Sequence, residues 1–385
     1  MSEFNEKKNK LKTSSEDCYQ NELMKRRFFE YQRESAGFSE KSIDTYETAL
    51  LRWQEFTGNE DFRTFDRTRA KNFKVWLSKR AGKSGQPVSL SYQYHTLRKL
   101  KGFFRWLALQ DTYRNNIKLT DVDLFNLNKK DRRQAIQSGR RKSPTMDQVV
   151  SLIESIVPSS EVAMRDRALF CFVLLTGARI DAVISLPVGA FDRDDCVVDQ
   201  NPKLGVRTKN SKRITTTFFQ ISYSKAKDYF LEWRDYLVNE KDFKADDPLF
   251  PATLKKQGKE NVNFYSSGEV GREFWSDNHP ARKIFEKRFN AAGLPYFNPH
   301  SFRHLIVKEC MKLALTEEQK KAISQNLGHA NVTTTFGSYG YGQIKEDRQV
   351  EILNEISFDE LTKGSSLNLS DESIEKLARI LKEKN

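Results

Sequence analysis

The stretch GHANVTTTFGSYGYG, residues 328–342, sets Tyr339 and Tyr341 among glycines shortly after an isolated histidine, His329. A phenol with so little apolar cover is a poor core residue and a candidate nucleophile. His300, His304 and His329 fall close together in the chain with Arg303 and Tyr339. In NPHSFRHLIVKECMKL, Asn298 can cap a helix whose first residue is Pro299. His300 and Arg303 then stand at i and i+3 on one face of the helix start, turned toward any anion bound there. Upstream, LLTGARIDAVISL roots Arg179 two residues after Gly177, between a very apolar helix and the next. A guanidinium in that place needs an anion, or a carboxylate such as Asp166, Asp181 or Asp192. In TEEQKKAISQNLGHAN, Thr316 and Gln319 read as a capping box and Gly328 as a left-handed stop. His329 is thereby displayed at a fixed helix exit, where partnering the helix dipole is the plainer reading. Zinc between His300 and His304 is not expected, because Arg303 stands where a carboxylate would help and no third ligand is close by.

The elements that must position these residues follow from periodicity. Residues 1–22 are polar and read as a flexible arm. Residues 23–115 read as a helical bundle. Ile43, Tyr46, Leu50 and Trp53 recur at helical spacing before Gly58, Ala70, Phe73 and Leu77 share a second face, and Tyr94, Leu97, Leu100, Phe104 and Leu107 form a third stripe. Arg98, Lys99, Lys101 and Arg105 lie largely off that third stripe, on a surface suited to DNA or simply to solvent. Residues 116–144 read as a basic linker. Its segment KKDRRQAIQSGRRKSPT carries seven basic side chains, Arg132, Arg133, Arg140, Arg141 and Lys142 among them, against one acidic. Such a segment is suited to tracking a phosphate backbone. A second domain, residues 145–356, opens with helices and passes through a strand-like region with a turn at Asn210–Ser211. It then returns to helices beyond a polar loop around residues 258–271. The expected fold is mostly α with a small antiparallel β-sheet (α+β). The tail, residues 357–385, ends in a segment whose Ile374, Leu377, Ala378 and Leu381 make an amphipathic helix.

Bulk properties narrow the partners. The chain has 385 residues, and 65 Lys+Arg against 52 Asp+Glu give a net charge of +13. An excess of that size points to an anionic partner, nucleic acid ahead of a membrane surface. The longest apolar run, ALFCFVLLTGA, is too short to span a bilayer, and the polar start MSEFNEKKNKLK does not read as a signal peptide. Cys18, Cys171, Cys196 and Cys310 are scattered without pairing motifs, the pattern of reduced thiols in a cytoplasmic protein.

Taken in order, TGARIDAVISL, the lysine of VRTKNSKR, HSFRH, LGHANVTTT and the tyrosine of SYG resemble the tyrosine recombinases, the phage-integrase-like site-specific recombinases. The resemblance covers the second domain, and the bundle before it resembles that family's core-binding domain in size and place. It implies two domains closing as a clamp around double-stranded DNA that carries specific recombination sites. It also implies a homotetramer on paired sites, an accessory directionality factor in some systems, no membrane partner and no cofactor. Position by position, Arg179 and Arg303 match the phosphate-clamping arginines and Lys209 the hairpin lysine. His300 and His329 match the two histidine positions, and Tyr339 the nucleophile. The family often has an acidic residue three positions after the first arginine, where this chain has Ala182; Asp181 beside it is a possible substitute.

The chemistry agrees. Phenolate attack on a phosphodiester gathers charge on the non-bridging oxygens, which guanidinium groups can bind bidentately. His300 is the expected base for the phenol and Lys209 the expected acid for the leaving 5′ oxygen. A phosphotyrosine keeps the bond energy, so rejoining needs no ATP, and the chain has no GxxxxGK[ST] loop. Tyr341 is the alternative nucleophile. Two other functions share the residues. A type IB topoisomerase would relax any supercoiled plasmid alone, and a DNA-binding protein that had lost catalysis would form no covalent adduct. The expected role is integration, excision or transposition of a mobile element in a prokaryotic cytoplasm.

Overall fold

The computed structural model describes the backbone of residues 2–82, 85–136, 142–257, 264–339 and 350. It describes the side chains of residues 18–82, 85–136, 142–254, 268–337 and 350. Arg140, Arg141, Tyr341 and the amphipathic tail segment lie outside the described residues. The chain divides into two compact units, Met1–Gly139 and Arg140–Asn385.

The first unit is helical: α1 (Ser2–Glu34), α2 (Glu40–Thr57), α3 (Arg67–Lys79), α4 (Leu90–Leu107), α5 (Leu119–Val122) and α6 (Lys129–Ile136). Asp66 caps α3 and Ser89 caps α4 through their side chains, while Gly58, at φ 66°, ends α2. The expected stripes bury against one another. Trp53, 1% exposed, meets Phe104 edge-on at 5.1 Å and is ringed by Phe65, Phe73 and Phe125. Two expectations change here. The supposed arm continues α1 backward as helix, and Met24 and Phe28 anchor that helix in the core. The supposed linker begins inside the unit, since Ile117, Val122 and Phe125 belong to the same core. These residues sit in and around a helix of only four residues, α5, too short to show a helical stripe.

The second unit is built on α8 (Glu161–Thr176), almost entirely buried and preceded by α7 (Met146–Glu154) with its Thr145–Gln148 capping box. Gly177, at φ 59°, ends α8, and α9 (Ile180–Val183) follows at once. Strands β1 (Phe191–Asp192), β2 (Val197–Gln200) and β3 (Ile214–Thr217) form an antiparallel sheet in that order, with Val198 opposite Thr216. After α10 (Lys225–Asp235) comes a second antiparallel pair, β4 (Thr253–Gln257) and β5 (Phe264–Val270). This hairpin replaces much of the loop expected around residues 258–271. The Lys of β4 and the Ser and Gly of β5 hide any strand alternation, and Val270 of β5 belongs to the core. Helices α11 (His279–Ala291), α12 (His300–Cys310) and α13 (Glu317–Asn326) and a wide helical turn, Thr334–Tyr339, follow among the described residues. The fold is mostly α with small antiparallel sheets, as the sequence predicts.

Candidate active site

Arg303 is the centre of the site and is 1% exposed. It sits one turn into α12, which starts one residue later than expected. The carbonyl of Asn298 receives the Ser301 N–H at 2.9 Å and the Ser301 hydroxyl at 2.6 Å, and no side chain caps the helix. The Arg303 guanidinium donates from Nη1 to the Gly177 carbonyl at 2.5 Å, and from Nη2 to the Leu327 carbonyl at 2.5 Å and to His329 Nε2 at 2.8 Å. Gly177 and Leu327 are the C-terminal caps of α8 and α13, so the negative ends of two helix dipoles converge on one buried cation. These three acceptors carry no formal charge. They orient the guanidinium without cancelling the charge that an anion would meet.

His329 is buried rather than displayed, at 5% exposure. Its backbone N–H is held by the Ser324 carbonyl at 2.9 Å, and its Nδ1 lies 2.7 Å from Thr335 Oγ1. Burial first, and then the positive charges of Arg303, Arg179, His300 and Lys209, push its pKa down to about 3. Four of the expected residues, Arg303, Arg179, His300 and Lys209, thus act on the ring of the fifth. Gly328, at φ 69°, makes the close approach possible, because a Cβ there would stand 2.5 Å from Ile214 Cδ1.

Arg179 is half-buried at the N-cap of α9. None of the three candidate aspartates pairs with it. Asp166 binds Arg165 and Arg288, Asp181 accepts from Asn278 at 2.7 Å, and Asp192 accepts from amides of its own turn. Asp181 therefore does not stand in for the acidic residue missing at Ala182. Lys209 is exposed in the β2–β3 loop, whose turn residues Asn210 and Ser211 take φ 60° and 49°. Two arginines fasten this loop. Arg207 gives its N–H to Ser185 Oγ at 2.8 Å and its Nη1 to the Trp275 carbonyl at 2.9 Å, and Arg213 grips Asp199 with two bonds of 2.8 Å. Strand β3 is stitched to the end of α13 by Thr216 Oγ1 to the Asn326 carbonyl at 2.9 Å and by Thr217 N–H to Asn326 Oδ1 at 2.7 Å. His300 is half-buried, edge-on to His304 at 5.6 Å, in the wall of an open cavity of about 580 Å³ that Lys142 and Tyr296 also line. Tyr339 is the last residue of the wide turn; its side chain lies outside the described residues.

The basic residues proposed for DNA divide by their surroundings. Arg98, Arg132 and Arg133 are exposed. Lys101 and Arg105 share the carboxylate of Asp123 at 3.0 and 2.7 Å, and burial lowers the pKa of Lys99. The sequence reading missed Thr335, Ser324, Asn326 and the two helix-end carbonyls. Small polar residues in TTT or SQN have no spacing that marks them, and carbonyls have no side chain to read. Among the described residues no group of three or more His, Cys, Asp or Glu could hold a metal ion, and no helix is long and apolar enough to cross a membrane.

This fold is shared with solved recombinases. The post-cleavage complex of XerH with palindromic difH substrate aligns at TM-score 0.54 and 17% identity over 86% of this chain and 83% of that one. The λ integrase dimer bound to a COC′ core site aligns at 0.56 and 12% over 84% and 80%. The integrase of the Tn1549 transposon, in complex with transposon right end DNA, aligns at 0.54 and 16% over 86% and 98%. In sequence, tyrosine recombinase XerC of Lactobacillus delbrueckii subsp. bulgaricus is 24% identical over 320 residues, 81% of this chain and 92% of its own length. Residues 142–341 match the phage integrase family, and the chain belongs to it: it is a tyrosine recombinase, a site-specific DNA recombinase enzyme.

Proposed function

We propose that this recombinase cleaves and rejoins double-stranded DNA at specific sites through a 3′-phosphotyrosine at Tyr339, to integrate, excise or transpose a mobile element. The observation that carries the reading is the buried Arg303, oriented by two helix ends and by His329, with Arg179, His300 and Lys209 acting on the same ring. A scissile phosphate seated there meets two guanidinium groups that stabilise charge on its non-bridging oxygens. The Tyr339 oxygen attacks phosphorus while its proton passes to His300. The bond to the 5′ oxygen breaks, and Lys209 supplies the proton that oxygen needs. A 5′ hydroxyl from another strand reverses the steps, and the phosphodiester is restored with no net change in the number of bonds. Pairing of sites calls for a homotetramer on DNA, with a directionality factor as a possible accessory, in the cytoplasm of a prokaryote.

The test is a nicked suicide duplex, from which the leaving strand diffuses away. Wild type should accumulate a covalent adduct. Tyr339→Phe should bind the duplex normally and form none, while Tyr341→Phe still cleaves. An adduct from the Tyr339 variant and not from the Tyr341 variant reverses the assignment. No adduct from the wild type on any cognate site refutes the proposed chemistry.

A further inference from the structure

The imidazole of His329 is the first link of a hydrogen-bond chain whose direction is fixed at both ends. At one end a guanidinium N–H can only donate, so His329 Nε2, 2.8 Å from Arg303 Nη2, presents its lone pair. At the other end the Asn331 carbonyl can only accept, so the Ser324 hydroxyl donates to it at 3.3 Å. Thr335 Oγ1 donates to Ser324 Oγ at 3.0 Å, which leaves Thr335 to accept from Nδ1–H of His329 at 2.7 Å. Thr335 is 0% exposed and Ser324 1% exposed, so water does not compete for these bonds.

We propose that Thr335 is a positioning residue: it holds His329 as the neutral Nδ1–H tautomer, so that the ring serves the resting site as a lone-pair acceptor that orients Arg303. The catalytic consequence rests on the function proposed above; the tautomer does not. A ring in this state cannot donate from Nε2 to a phosphate. It becomes a donor there only after taking up a proton, and the groups facing it, Arg303, Arg179, His300 and Lys209, oppose that uptake. A bound phosphodiester, which brings negative charge among these cations, removes the opposition. His329 is then one of the site's groups whose protonation follows DNA binding.

The full chain labelled with 15N-histidine provides the test. In the wild type near pH 7 the His329 resonances, assigned by their loss in His329→Asn, should be those of a neutral ring protonated at Nδ1. A ring protonated at Nε2, or charged, overturns the proposal. Thr335→Val keeps the shape and removes the hydroxyl. It should mix the two tautomers and slow single-turnover cleavage of the suicide duplex by on the order of 10- to 100-fold, the cost seen when a metal-bound histidine loses its hydrogen-bond partner. Duplex affinity should be unchanged, and Thr335→Ser should restore both spectrum and rate. A valine variant with the wild-type spectrum and rate overturns the proposal. If that variant does not fold, Ser324→Ala breaks the next link and is read in the same way. Absence of any adduct from the wild type would sink the catalytic reading, while the spectrum still decides the relay.

Discussion

Gly177 joins the apolar helix α8 to the arginine-bearing segment, and its replacement by alanine has a calculable effect. The residue has φ 59°, and a Cβ there would stand 2.7 Å from Leu327 Cδ2 and 3.1 Å from Ile306 Cδ1. Carbon atoms in contact prefer about 3.5–4.0 Å. Both neighbours are 2% exposed, so neither can swing into solvent. The left-handed backbone costs an alanine about 1–2 kcal/mol. Overpacking adds about 1–3 kcal/mol, and the stiffer unfolded chain returns about 0.4–1 kcal/mol. The net loss for Gly177→Ala is about 3 kcal/mol at the middle of these ranges, and about 1 to 5 kcal/mol at their extremes. Gly205 supplies the control, for it has φ 81° and nothing within 4 Å of an added Cβ, so Gly205→Ala should lose only about 1 kcal/mol. Amide hydrogen exchange of α8 in the full chain reads both. At 1.4 kcal/mol per tenfold, exchange should accelerate on the order of 100-fold in Gly177→Ala and about fivefold in Gly205→Ala. Because Leu327 also supplies a carbonyl to Arg303, cleavage should fall even where the variant is fully folded. Equal acceleration in the two variants refutes the close approach of the α8 end to α12 and α13.

Lys209→Ala should slow cleavage severely, and a 5′-bridging phosphorothiolate should restore it, because a thiolate leaves without a proton. Equal rescue of Arg303→Ala by sulfur removes the case for Lys209 as the acid. His329 predicts a pH effect on stability. Its folded-state pKa lies below the ordinary 6.5, so the folded chain binds fewer protons than the unfolded chain. The stability it contributes is complete above pH 6.5 and is lost as pH falls from 6.5 toward about 3. The slope is at most about 1.4 kcal/mol per pH unit. Urea titrations at pH 7 and pH 5 should show wild type losing more stability than His329→Gln, and equal losses refute the burial of a neutral ring.

Helices with one apolar stripe were legible, because Trp53, Phe73 and Leu100 each recur at 3.6-residue spacing and the structure buries all three. So were some caps: Thr316 announces a helix start, and Gly58 and Gly328 announce helix ends. The β4–β5 hairpin was not legible, since TLKKQ and FYSSGEV show no apolar–polar alternation to mark strands. The site was legible as a set of chemical types in order. Its geometry was not, because what holds Arg303 is carbonyl oxygen at the ends of two helices that lie far apart in the chain. The fate of Asp181 was equally hidden. Only the folded chain brings Asn278 to it.

The two arginine anchors of the β2–β3 loop set a length. Lys209 is two residues from Arg207, and an extended chain spans at most about 3.6 Å per residue, so its Cα stays within about 7 Å of the anchored Cα. If Lys209 is the acid proposed above, so short a leash ties its ammonium to the site of its own chain.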